Sequence, residues 1–224
     1  MGGSYNVNLY AMRLQMMELS SRSDTLESVL RAMDEALKTV CEELDGLDEQ
    51  DLFPEHQEAL VDEGVDFIES LLGAAFVTCQ AEISQVVSQV KGMHEYLGHK
   101  GEQPLMCCGP AKKDILALNS DEIDTSGFTE IQVIDAAANY FKHNSEWSHD
   151  WSGLAGNSRR TAGILEAVGV VPGESRAILT LAKVLDNGDY SETRRFAATV
   201  SAWHASVVAT VRGELTSRGL INPK

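Results

Sequence analysis

Residues 60–90 read LVDEGVDFIESLLGAAFVTCQAEISQVVSQV. The apolar positions Leu60, Val61, Val65, Ile68, Leu71, Leu72, Ala75, Phe76, Cys79, Ile83, Val86, Val87 and Val90 recur at steps of three and four, the period of one helix face. The stretch predicts a long helix, the longest in the chain, falling within residues 55–98. Its apolar face is wide enough to lie inside a bundle.

Helix signals continue on both sides. Upstream, Asp24 and Glu27 form a capping-box-like start. Leu26, Val29, Leu30, Met33, Leu37, Val40 and Leu44 follow at helical spacing up to Asp45-Gly46, and Pro54 is suited to open the next helix. Downstream, residues 99–111 hold two glycines, two prolines and a Cys-Cys pair, which predicts a loop. A short helix is expected at Asp114–Leu118 and a longer one from about Thr129 to about Trp147. Three more are expected: one capped by Ser158 and closed by Gly169, one from Glu174 to Asp186, and one capped by Ser191 with Phe196, Val200, Trp203, Val207, Val211 and Leu215 on one face. No alternating strand pattern and no internal repeat occur. The expected fold is all-α, a helical bundle of three or four long helices with additional short ones. Its expected parts are an acidic N-terminal helical region (1–98), a loop-rich connection (99–128) and a C-terminal helical region (129–224), together one compact domain.

The chain has 224 residues and a net charge of −16. That balance excludes a generally basic nucleic-acid binder. Fourteen acids and one base, Lys38, fall between residues 34 and 69, so this segment alone carries −13. It reads either as a solvated face or as a surface that docks a basic protein partner, with Asp48, Glu49, Asp51 and Glu55 as its contact residues. There is no secretory pattern at the start and no run of about 18 apolar residues, so no membrane association is expected. Met1-Gly2-Gly3-Ser4 lacks the Ser or Thr at position 6 that myristoylation needs. The four cysteines do not have the spacing of a disulfide framework, which suits a reducing cytoplasm.

The densest polar cluster is Ala138-Asn139-Tyr140-Phe141-Lys142-His143-Asn144-Ser145-Glu146-Trp147. On a helix, Asp135, Asn139, Lys142, His143 and Glu146 make one polar stripe, with Ile131, Ile134, Ala138 and Phe141 opposite. An imidazole, a carboxylate, an amide and an ammonium together have the parts for proton transfer beside an anion. His143, Lys142, Asn139 and Glu146 are therefore the candidate catalytic residues.

Asn139, three intervening residues and His143 resemble the signature of the HEPN superfamily of bacterial and archaeal helical proteins. That signature places an Arg, a polar residue, three variable residues and a His on a helix. Here Ala138 stands where the Arg is usual. The resemblance implies a metal-independent ribonuclease, often dimeric, of toxin–antitoxin or antiphage systems. Relatives with a broken motif look like binding modules without catalysis. The expected function is thus a defence-type protein that binds or cleaves RNA at Asn139–Glu146, acting as a homodimer. The alternative is a non-enzymatic immunity protein or antitoxin that covers a basic partner with residues 34–69.

Competing chemistries are less well supplied. His143, Glu146 and His149 lie three apart but do not form an HExxH order. His94 and His99, with Cys107 and Cys108, offer a loop-closed zinc set, although adjacent cysteines are poor tetrahedral partners. No metal or other cofactor is expected. The segments around Ser158–Thr161 and Glu174–Asp186 echo a helix-turn-helix, but Arg176 and Lys183 are too few bases to read DNA. Trp147, Trp151 and Trp203 read as core or rim anchors, and His204 as a histidine at the core edge.

Overall fold

The computed structural model describes residues 8–222 except 22, 125, 148, 149, 187 and 189. The chain is all-α. Its helices are α1 (Leu9–Leu19), α2 (Ser23–Asp45), α3 (Pro54–His99), α4 (Lys112–Leu116), α5 (Glu130–His143), α6 (Gly156–Ala167), α7 (Ala177–Leu185) and α8 (Arg194–Ser217). Extended pairing among the described residues amounts to an isolated bridge between Glu122 and Thr129.

The axis is α3, 46 residues and roughly 69 Å long at 1.5 Å per residue. It begins with Pro54 in the first turn, after Phe53, and exceeds the expected 55–98 by one residue at each end. By length and composition it is apolar enough to cross a membrane, yet more than half of that window is buried within the fold. Its burial is uneven. From Ile68 onward it carries fifteen buried residues, whereas none is buried between Pro54 and Phe67. The buried half packs on α5, on α8 and on the first half of α2, in one core that runs from Leu14 and Met17 in α1 to Val211 and Leu215 in α8.

Contacts distant in sequence hold the helices in register. At Gly73 of α3, an added Cβ would lie 2.1 Å from Cδ2 of Phe141 in α5, so the close α3–α5 approach requires the missing side chain. Asp34 of α2 caps α8: its Oδ1 accepts the Thr193 N–H at 2.6 Å and the Thr193 hydroxyl at 2.7 Å. A carboxylate there satisfies otherwise unpaired N–H groups and meets the positive end of the helix dipole. His204 of α8 is fully buried rather than at the core edge, with Nδ1 2.9 Å from Glu82 Oε1 and Nε2 3.0 Å from the Met17 carbonyl. Trp203 donates its Nε1–H to the Leu118 carbonyl at 2.9 Å, and Trp151 is buried against Trp147 and Tyr140. All three tryptophans are thus engaged in packing.

Several helix ends differ from expectation. The start of α6 lies after Ala155 rather than at Ser158, because Gly156 enters the first turn at φ +58°. Helix α7 starts three residues after Glu174, which instead accepts the Val171 N–H at 3.0 Å. The last helix starts after Thr193, where Asp34 supplies a cap. Helix α1 has no counterpart among the expectations. Its apolar residues surround the helix, and Met12, Met16 and Leu19 remain exposed, so no one-sided pattern marks it. Its N-terminal signal was Asn8, whose Oδ1 accepts the Ala11 N–H at 3.1 Å.

Candidate functional site

Helix α5 starts as its sequence indicates. Thr129 and Gln132 form a capping box, with the Thr129 N–H donating to Gln132 Oε1 at 2.9 Å. Its other end comes earlier than expected. The α-helix stops at His143, and Asn144–Glu146 form a 3-10 turn. This break divides the polar stripe into two parts with different surroundings.

The first part is internal. Asp135 is buried, and its Oδ1 accepts Gln80 Nε2 of α3 at 2.8 Å and Lys112 Nζ of α4 at 2.7 Å. Gln80, also buried, donates to the Asp135 carbonyl as well, at 3.0 Å. On the other side its Oε1 accepts Lys142 Nζ at 2.5 Å. Asn139 approaches Asp135 Oδ2 at 3.4 Å. Two lysines, an amide pair and a carboxylate therefore tie α3, α4 and α5 together. A polar network that is satisfied in this way specifies packing. It also occupies the ammonium of Lys142.

The second part is at the surface. His143 Nδ1 lies 3.3 Å from Glu146 Oε1, and both side chains are more than half exposed. Exposed pairs of this kind contribute under about 1 kcal/mol. His143 and Lys142 are neighbours on the helix and so point about 100° apart. The structure brings His143 to Glu146 and Lys142 to Gln80, and does not bring the four candidates to one point.

The acidic segment forms a helical hairpin. The second half of α2, a 3-10 turn at Gly46–Glu49 and the first half of α3 pack on one another. From residue 38 to residue 67, Leu47 alone is fully buried. A groove of about 430 Å³ runs between the two helices, lined by Val40, Leu44, Leu47, Leu60 and Phe67, with Glu43 and Glu63 on its edge. Phe53, at the tip, is 75% exposed and Phe67 48%. Of the four contact candidates, Asp48 accepts Gln57 Nε2 at 2.8 Å. Glu49, Asp51 and Glu55 are exposed and, among the described residues, form no ion pair. The same holds for Glu43, Asp45, Glu58 and Glu63. Nearer the body the acids are used internally: Asp62 and Asp66 hold Arg176 at 3.1 and 2.5 Å, and Glu69 accepts the Leu179 N–H at 2.9 Å.

The metal alternatives lack a third ligand among the described residues, where no group of three His, Cys, Asp or Glu is placed to hold an ion. His149 lies outside the described residues. His99 is exposed at the end of α3, while His94 is buried and reaches Cys108. Comparison of the chain with protein-family models, with curated proteins and with solved structures finds no match.

Proposed function

We propose that this chain is a cytoplasmic, non-enzymatic interaction protein of the immunity-protein or antitoxin type, which covers a basic partner with the α2–α3 hairpin. The observation that carries this reading is the hairpin's far end. It exposes an apolar groove bordered by Glu43 and Glu63, and seven carboxylates there have no ion partner among the described residues. An apolar strip inside an acidic border suits a partner surface that is apolar at its centre and cationic at its rim. The carboxylates steer encounter, and the groove holds the complex. Capture of a basic protein that is lost as salt rises, and lost on reversal of Glu49, Asp51 and Glu55 to Lys, supports the reading. Binding that ignores both salt and the reversals refutes it, because exposed charges are screened beyond about 8 Å at physiological ionic strength.

A second reading keeps the HEPN resemblance, in which the chain binds or cleaves RNA. It is favoured by the half-exposed ring of His143 at the end of α5, four residues after Asn139. One helix cannot aim both His143 and Lys142 at a single phosphate. Two copies related by a two-fold axis can each supply one group. Cleavage on this reading requires a dimer, persists in EDTA and is abolished by His143→Ala. A monomer inert towards RNA removes it.

A further inference from the structure

The loop between α3 and α4 sets two adjacent cysteines against α3, and Glu214 of α8 holds them there. Its carboxylate accepts the backbone N–H of Met106 at 2.8 and 3.0 Å and that of Cys107 at 2.8 Å, and Arg218 Nη1 braces it at 3.2 Å. This seats Cys108 Sγ 3.8 Å from Nε2 of His94. His94 is 93% buried, and its Nδ1 is enclosed with no partner among the described residues. The Nε2 edge of the ring faces the Cys108 sulfur.

The surroundings separate the two thiols. The neighbouring Cys108 thiol, burial and the Glu214 carboxylate push the ionisation of Cys107 up. The neighbouring Cys107 thiol and, against burial, the His94 ring pull Cys108 down to about 6. Burial raises Glu214, but the N–H groups of Met106 and Cys107, the Cys107 thiol and Arg218 together bring it below its ordinary value. Cys107 thus holds its proton more firmly than Cys108. Both cysteines are partly exposed, unlike the buried Cys79. A metal fits less well, because a ligating histidine nearly always passes its other N–H to a partner.

We propose that Cys108 is a nucleophilic thiolate that small hydroperoxides oxidise to a sulfenic acid, with Cys107 as proton donor and His94 as a positioning residue. The Cys108 sulfur attacks the terminal peroxide oxygen. The S–O bond forms, the O–O bond breaks, and the electron pair leaves on the other oxygen, which takes the Cys107 thiol proton and departs as water or an alcohol. Sulfur is oxidised by two electrons and the peroxide is reduced by two. Hydroxide and alkoxide are poor leaving groups, so an adjacent S–H favours a peroxide over reagents that need no proton. A following Cys107–Cys108 disulfide is disfavoured. Adjacent Cα atoms lie about 3.8 Å apart, short of the roughly 4.4 Å minimum of ordinary bridges.

The test is hydrogen peroxide with dimedone at about pH 6, read by peptide mass spectrometry, beside the pH profile of reaction with dithiodipyridine. The dimedone adduct is expected on Cys108 and not on Cys41, Cys79 or Cys107. At about pH 6 Cys108 should react about 10-fold faster than an ordinary thiol, since its roughly 160-fold larger thiolate fraction is partly offset by weaker intrinsic nucleophilicity. Its rate should level off above about pH 7. The groups facing it, His94 from α3, Cys107 in the loop and Glu214 backed by Arg218 from α8, set that profile. His94→Gln should move the inflection up while leaving the helical circular dichroism unchanged. A dimedone adduct on another cysteine, or a wild-type rate that climbs through about pH 8.5 as for a free thiol, overturns the proposal whether or not the variant folds.

Discussion

Replacing Asp135 with Ala separates a structural stripe from a functional one. Asp135 is 7% exposed, and its Oδ1 accepts Gln80 at 2.8 Å and Lys112 at 2.7 Å. Removing the carboxylate leaves Gln80 one donor bond, to the Asp135 carbonyl. The lost hydrogen bond to a charged acceptor is worth about 1.5–3 kcal/mol. Lys112 is 37% exposed in its side chain, so its ammonium turns to water and the lost ion pair adds under about 1 kcal/mol. The expected cost is about 2–3 kcal/mol, which for a chain of this size lowers Tm by roughly 5–10 °C. Asp135→Asn keeps an acceptor for Gln80 and should cost about 1 kcal/mol or less. His143→Ala, at the exposed end, should fall within about 0.5 kcal/mol of wild type. Thermal unfolding followed by circular dichroism reads all three. If Asp135→Ala melts with the wild type, or His143→Ala costs more than Asp135→Ala, the division of the stripe into an internal tie and a surface pair is wrong.

Gly73→Ala places a methyl group against the Phe141 ring. It should destabilise by about 1–3 kcal/mol despite the better helix propensity of alanine, and Phe141→Leu in the same chain should recover part of the loss in urea unfolding. Glu69 is half-buried, and burial, only partly opposed by the Leu179 N–H and Arg176, raises its ionisation above the usual carboxylate value. A raised acid favours folding most below its unfolded pKa, and that advantage fades as pH rises through the folded value. Glu69→Gln, which can still accept the Leu179 N–H, should therefore gain Tm relative to wild type between about pH 4 and about pH 7. A constant or shrinking difference would contradict that sign.

Local pattern was enough for the class of fold. The three- and four-residue spacing from Leu60 to Val90 specifies α3, and the spacing from Phe196 to Leu215 specifies the body of α8, because an apolar face at helical period has no other way to leave water together. The acidity of residues 34–69 was equally legible, since charge is additive along a chain. Which acids remain available was not: Asp34 caps α8, and Asp62 and Asp66 hold Arg176, while Glu49, Asp51 and Glu55 reach solvent. The polar stripe shows the same limit. Its members share one side of a helix, but the fate of Asp135 rests on Gln80, 55 residues away, and on Lys112 in another helix. Cys108 meets His94 because Glu214, more than 100 residues further on, draws the loop down. Helix period is a property of neighbours in sequence. The partner of a carboxylate or a thiol depends on which surfaces are buried together, and only the packed core decides that.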